Sequence, residues 1–182
     1  MARTRTRALE AALELVGEGG IRALTHARVD ERAGLPKGST SNWFRTREAL
    51  VAGVVAWLAE TERAEFAAGG SPPVETPTQL IDALCDLIEL QTGPLAARTR
   101  ARYALFLDGA GDAGLLAPLL DQRAAYVEWT TAILARVGAK APVDAARTLM
   151  AACEGLNLHR VTVDPEAAVR PVVERAVRAC ID

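Results

Sequence analysis

Aromatic residues are scarce in this chain: three Trp, two Tyr and three Phe, 4% of 182 residues. A core so poor in rings has to be built from Ala, Leu and Val, a mixture whose propensities favour helices over strands. No segment reads as a credible strand, and there is no internal repeat or low-complexity tract. Histidine occurs only at His26 and His159, and no CxxC or paired-histidine spacing suggests a metal. No serine or cysteine has an evident base, no glycine-rich loop could cradle a phosphate, and no carboxylate pair stands at a telling spacing. These absences argue against an enzyme and leave no cofactor to expect. A helical-bundle enzyme with groups converging from distant sequence is the weakest reading.

Cysteine is limited to Cys85, Cys153 and Cys180, far apart and set in helical apolar patterns. Buried thiols of a reducing cytoplasm are the expectation, since a reactive thiol needs exposure and a lowered pKa. Long apolar runs are missing too: Val51 to Ala59 is far too short to span a bilayer. The basic N-terminal stretch is interrupted by Glu10 and Glu14 and does not read as a signal peptide. The expectation is a cytoplasmic protein without a membrane partner.

The net charge of −2 hides an asymmetry. Residues 1–50 carry nine Arg and Lys against six Asp and Glu, whereas the remainder carries twelve against seventeen. A basic head on an acidic body fits a nucleic-acid contact confined to one end, or ordinary scatter.

The most informative stretch runs from Thr25 to Phe44, THARVDERAGLPKGSTSNWF. Val29 and Ala33 share one helical face, and Thr25 is placed to cap that helix. Gly34 can take the left-handed conformation that ends it, and Pro36 suits the opening of a second helix. That second helix offers Lys37, Gly38, Ser39, Thr40, Ser41 and Asn42 before Trp43 and Phe44. Two short helices on a three-to-four-residue turn, the second polar-faced, form a helix-turn-helix whose second helix enters a DNA major groove. By chemistry, Thr40 and Asn42 suit base edges, while His26, Lys37 and Arg47 suit phosphates. Trp43 packs either on the sugar–phosphate backbone or in the core; Arg3, Arg5 and Arg7 form either an arm or a solvated tail.

The segment resembles the signature of the TetR family of transcriptional regulators, carried here by Thr25, Val29, Ala33-Gly34, Lys37-Gly38-Ser39, Trp43-Phe44 and Arg47-Glu48-Ala49-Leu50. It departs from that pattern twice. Ser41 stands where the family often has a phosphate-contacting tyrosine, and Asp30 stands where it usually has a small alanine, which suggests an exposed or salt-bridged position. The resemblance implies an all-α fold of about nine helices, with an N-terminal helix-turn-helix domain and a C-terminal ligand-binding and dimerisation domain. It also implies a homodimer on a double-stranded operator, the last two helices pairing with their twofold mates, and release by a small-molecule effector. A constitutive, effector-free regulator is the alternative within that reading.

Periodicity gives the rest. Helices are expected over about 4–16, ended by Gly17, Gly19 and Gly20, and from a Thr46 cap to about residue 67. The Gly- and Pro-rich break from Gly69 to Pro77 follows, then a capping-box start at Thr76. Leu80, Ile81, Leu84, Leu87 and Ile88 form the next stripe, and further helices are expected over about 95–107, 115–137, 144–161 and 165–180. Asp164 is placed to cap the last, with a kink or late start at Pro171. The division is 1–50 for DNA binding, 51–68 as a connecting helix, and 76–182 for ligand binding and dimerisation. Val169, Val173, Ala176, Val177 and Cys180 form one apolar stripe, and Leu149, Leu156 and Val163 another; either intramolecular core or the implied dimer interface would explain them. Tyr103 with Phe106 and Tyr126 with Trp129 are the expected walls of an effector pocket, or plain core. Asn157 is the polar group expected to orient an apolar effector; Glu154 and His159 join it in facing a pocket, a dimer partner or water.

Overall fold

The computed structural model describes residues 2–68 and 74–181. Among these residues the protein is all-α: nine helices, one 3-10 turn and no strand. They are α1 (Ala2–Gly19), α2 (His26–Arg32), α3 (Ser39–Trp43), α4 (Arg47–Ala68), α5 (Pro77–Thr92), α6 (Ala96–Asp108), α7 (Ala113–Arg136), α8 (Pro142–Thr162) and α9 (Arg170–Ile181), with the 3-10 turn at Ile21–Ala23. No helix among the described residues is long and apolar enough to cross a membrane. The expected break at Gly69 lies, as far as Pro73, outside the described residues.

The chain forms two compact units, Met1–Ala68 with Ala97–Asp121, and Gly69–Ala96 with Gln122–Asp182. By packing, residues 97–121 group with the first unit.

In the first unit Leu9, Leu13 and Val16 of α1 meet Leu24, Val29, Phe44, Leu50, Val54 and Leu58, and Leu105 of α6 with Leu119 of α7 completes the core. Each such side chain withdrawn from water contributes about 1.5–3 kcal/mol. Gly17 does not end α1. The helix runs on to Gly19, and Gly20, at φ 68°, is where it stops. Gly17 serves another purpose: a Cβ there would lie 2.1 Å from the carbonyl oxygen of Ala97, so only glycine admits that backbone. Arg100 fastens the same place by donating to the Gly17 carbonyl at 2.9 Å. Thr46 caps α4 as expected, accepting the Ala49 amide at 3.1 Å.

In the second unit α5, α8 and α9 pack around Leu80, Ile81, Ile88, Leu149, Leu156, Val173 and Val177, with Ile133 and Leu134 of α7. Thr76 and Gln79 make the expected reciprocal capping box of α5. Two members of the expected stripes face outward instead: Leu87 is 44% exposed and Val163, just past the end of α8, is 71% exposed. The last helix starts late, at Arg170, where Pro171 in its first turn costs no hydrogen bond. Asp164 caps only a turn, accepting the Glu166 amide at 3.1 Å. Val173 and Val177 are 1% and 0% exposed inside this unit. They are core residues of the single chain and are not available to a dimer partner.

Candidate nucleic-acid interface

The helix-turn-helix is assembled from residues 25–44. Thr25 has extended backbone and its hydroxyl accepts the Arg28 amide at 3.3 Å, capping α2. Gly34 (φ 61°) turns the chain, and the second helix begins at Ser39 behind Gly38 (φ 86°). Pro36 therefore sits in the turn and does not open the helix. Its carbonyl accepts the Ser39 hydroxyl at 2.7 Å.

Asp30 is neither exposed nor salt-bridged. It is 3% exposed, and its carboxylate accepts three hydrogen bonds from the start of α3: the Gly38 amide at 2.7 Å, the Thr40 amide at 2.8 Å and the Thr40 hydroxyl at 2.6 Å. A helix start has orphan amides that need an acceptor, and here the preceding helix supplies it in charged form. Thr40 is consequently 0% exposed and cannot reach a base edge.

His26 is also taken up internally. Its Nε2 lies 2.6 Å from the Phe44 carbonyl, and since a carbonyl only accepts, that nitrogen carries the proton. The bond ties the start of α2 to the end of α3, so His26 has a structural partner where a phosphate was expected. Phe44 is buried under the Arg5 guanidinium, 5.4 Å from its ring centroid. Arg7 donates to the Ala33 carbonyl at 2.5 Å, closing the end of α2. Both arginines belong to α1, so neither forms a free arm. Arg47 is exposed yet donates to the Ile21 carbonyl at 2.9 Å. Trp43 is half-buried against the first core, which favours its packing role.

Lys37, Gly38, Ser41 and Asn42 remain as exposed residues of the turn and second helix. Two cations the sequence reading passed over join them: Arg28 in the first turn of α2 and Arg45 directly after Phe44, both exposed. Their basic character next to the motif was the available signal. Arg32 is different, because it is spent on Glu18 at 2.6 Å and Glu14 at 3.3 Å. Its hydrogen bond holds the Glu18 carboxyl below its usual range.

The residues expected to line an effector pocket divide between the two units. Tyr103 and Phe106 belong to the first, where Phe106 packs on the core and the Arg102 guanidinium, paired with Glu62, stands 5.3 Å from its ring. Tyr126, Trp129 and Asn157 belong to the second. There Tyr126 accepts from Gln122 at 3.1 Å, Trp129 is half-buried against the core, and Asn157 is buried and donates to Gln91 at 2.7 Å. Glu154 pairs with Arg123 and His159 is exposed. Gln122, only 3% exposed, had no sequence signal, because a glutamine in a helix is ordinarily a surface residue. All three cysteines are free thiols, and burial pushes Cys153 up to about 11.

Residues 75–182 match the family model described as tetracyclin repressor-like, C-terminal domain, and residues 8–54 match that of bacterial regulatory proteins, tetR family. Among solved structures the fold resembles a transcriptional regulator from Rhodococcus sp. Rha1, with a TM-score of 0.75 and 21% identity over 97% of this chain and 93% of that one. A TetR-family member from Streptomyces coelicolor A3 has a TM-score of 0.71 and 24% identity, over 98% of both chains. The multidrug binding protein EbrR, complexed with ethidium, has a TM-score of 0.68 and 24% identity over 98% and 99%. A search of curated proteins gives no match.

Proposed function

Since the chain belongs to the tetR family of bacterial regulatory proteins and is thereby a DNA-binding regulator rather than an enzyme, we propose that it is a homodimeric repressor released from its operator by a small molecule. The observation that carries the DNA-binding part is the state of α3. Its start is pinned by the buried Asp30 carboxylate, while Ser41 and Asn42 on its body and Lys37 before it stay exposed. A helix held at both ends enters a groove with little further ordering cost. Asn42 reads a base edge, since a carboxamide offers a donor and an acceptor side by side. Lys37, Arg28 and Arg45 neutralise phosphates, and the Gly38 and Ser39 backbone lies close to them.

The homodimer reading is supported by the outer faces of the last two helices. On α8, Ala151, Gly155 and Leu158 follow one another at i, i+4 and i+7, all exposed; on α9, Val172, Arg175 and Ala179 do so at i, i+3 and i+7. A Cβ added at Gly155 would meet nothing within 4 Å, so a partner helix has room to approach. The effector reading is supported by the fold shared with EbrR, solved with ethidium and with proflavin. The half-buried Tyr126 and Trp129 and the buried Asn157 are its contacts within the second unit. Regulation by thiol oxidation is the poorer reading, since Cys153 is held as a thiol by burial.

The test is selection of duplexes from a random pool, followed by titration of the enriched site. A palindromic site with half-site centres about 34–36 Å apart, or a multiple of that, is expected. Enrichment of no duplex above the starting pool would overturn the proposal.

A further inference from the structure

Two oppositely charged side chains of the first unit face one cavity without meeting. The cavity, of about 480 Å³, lies between α1 and α4, with Arg5 in its wall from the first helix and Glu60 from the second. Among the described residues neither has a hydrogen bond or an ion pair, to the other or to any third group. The Arg5 guanidinium rests over the Phe44 ring, 5.4 Å from its centroid. A ring face attracts the charge but accepts none of the N–H groups, which point outward in the guanidinium plane.

Helix geometry builds the rest of the α4 wall. Trp57, Glu60, Thr61 and Ala64 are spaced i, i+3, i+4 and i+7, on one face, and all four line the cavity. Trp57 is half-buried, and the Thr61 hydroxyl has no partner among the described residues. Glu65, the other carboxylate of the wall, is already spent, since its two oxygens accept from Arg98 at 2.8 Å and 2.7 Å. The wall thus presents one unanswered cation, one unanswered anion, an indole, and apolar surface from Leu9 and Ala64.

We infer that this cavity binds a free amino acid with an apolar side chain. Its carboxylate accepts from Arg5, its ammonium donates to Glu60 and Thr61 beside the Trp57 indole, and its side chain lies on Leu9 and Ala64. The carboxylate meets the edge of the guanidinium, so Arg5 keeps its face on Phe44. A ligand with one charge answers only one of the two groups, and an anion also meets Glu60 as a like charge. The volume suits a small molecule, whose clefts span about 300–1,000 Å³. The inference goes beyond the effector reading. It uses no residue assigned to the operator, the dimer or the effector, so its failure leaves those readings untouched.

Heteronuclear NMR titration of the whole protein with L-leucine, L-methionine and L-phenylalanine is the test, each compared with its amide and its N-acetyl derivative. The amide keeps the ammonium and lacks the carboxylate; the N-acetyl derivative does the reverse. At least one of the three amino acids is expected to shift the Trp57 indole N–H signal saturably and leave that of Trp129 in place. It should bind about fivefold or more tightly than either of its derivatives. Glu60→Gln should abolish the preference over the N-acetyl derivative and keep that over the amide, and Arg5→Gln should do the opposite. A merely structural effect of either substitution would not divide in this way. Ala64→Trp, which fills the cavity, should abolish binding, with folding of every variant checked by circular dichroism. The wild-type comparisons need no variant, so a variant that fails to fold does not remove the test. No saturable Trp57 shift with any of the three, equal or tighter binding of either derivative, or binding that survives Ala64→Trp would overturn the inference.

Discussion

Asp30 takes both polar hydrogens of Thr40, the amide at 2.8 Å and the hydroxyl at 2.6 Å, across ten residues and one turn of chain. The two form a lock between the helices of the DNA-binding motif. Each charge-assisted bond contributes about 1.5–3 kcal/mol. Asp30→Ala is therefore expected to destabilise the fold by roughly 3 kcal/mol, and Thr40→Val by about 1–2 kcal/mol, since the carboxylate then stays buried with one donor fewer. Urea denaturation measures both, and equal stability of Asp30→Ala and wild type would remove the lock.

Asn42→Ala should cost roughly 1–3 kcal/mol at one or two base positions of the selected site and relax preference there. Lys37→Ala, Arg28→Ala and Arg45→Ala should weaken all duplexes alike, each reducing the salt slope by about one. Titrations at several salt concentrations, on selected and scrambled duplexes, distinguish the two patterns. Sequence-dependent losses for the three cations would contradict their assignment to phosphates.

Leu158 and Val172 are each 43% exposed on the outer faces of α8 and α9, whereas Val173 beside them is 1% exposed. Leu158→Glu combined with Val172→Glu should give folded monomers by sedimentation, with native circular dichroism. Val173→Asp should instead fail to fold, because it places an unpaired charge in the core. A wild type that sediments as a monomer at micromolar concentration contradicts the dimer.

Burial raises the Cys153 thiol from an ordinary 9.0 to about 11. Only the thiolate alkylates, so labelling by iodoacetamide should run about a hundredfold slower than for an unperturbed thiol and rise about tenfold per pH unit between pH 7 and 9. Peptide mass spectrometry across that range provides the check. Rapid labelling at pH 7 would reopen a thiol-sensing role.

The parts legible in the sequence were those decided within a few residues. Thr25, Thr46 and Thr76 cap helices because a hydroxyl reaches an amide three residues on, and Gly34 turns the chain because it alone among its neighbours lacks a Cβ. Apolar spacing at 3.6 residues gave the helices, and the order of Thr25 to Leu50 gave the motif. Boundaries slipped where a distant partner intervened: α1 passes through Gly17 because its neighbour is the backbone of Ala97, eighty positions away.

Tertiary structure decided which polar groups remain free. Asp30, Thr40 and His26 have the chemistry of surface residues, yet each finds a partner eight to eighteen residues away and turns inward. Periodicity showed that Val173 and Val177 face something apolar, without saying whether that was α5 and α8 of the same chain or a second molecule. A helical stripe fixes the direction of a side chain, but the identity of what it meets depends on how the chain closes, and that information is non-local. The sequence by itself therefore determined the helices, their caps and the family of the motif. Only the closed structure distinguished exposed Asn42 from buried Thr40 two residues earlier on the same helix, because burial is a property of the neighbours and not of the residue.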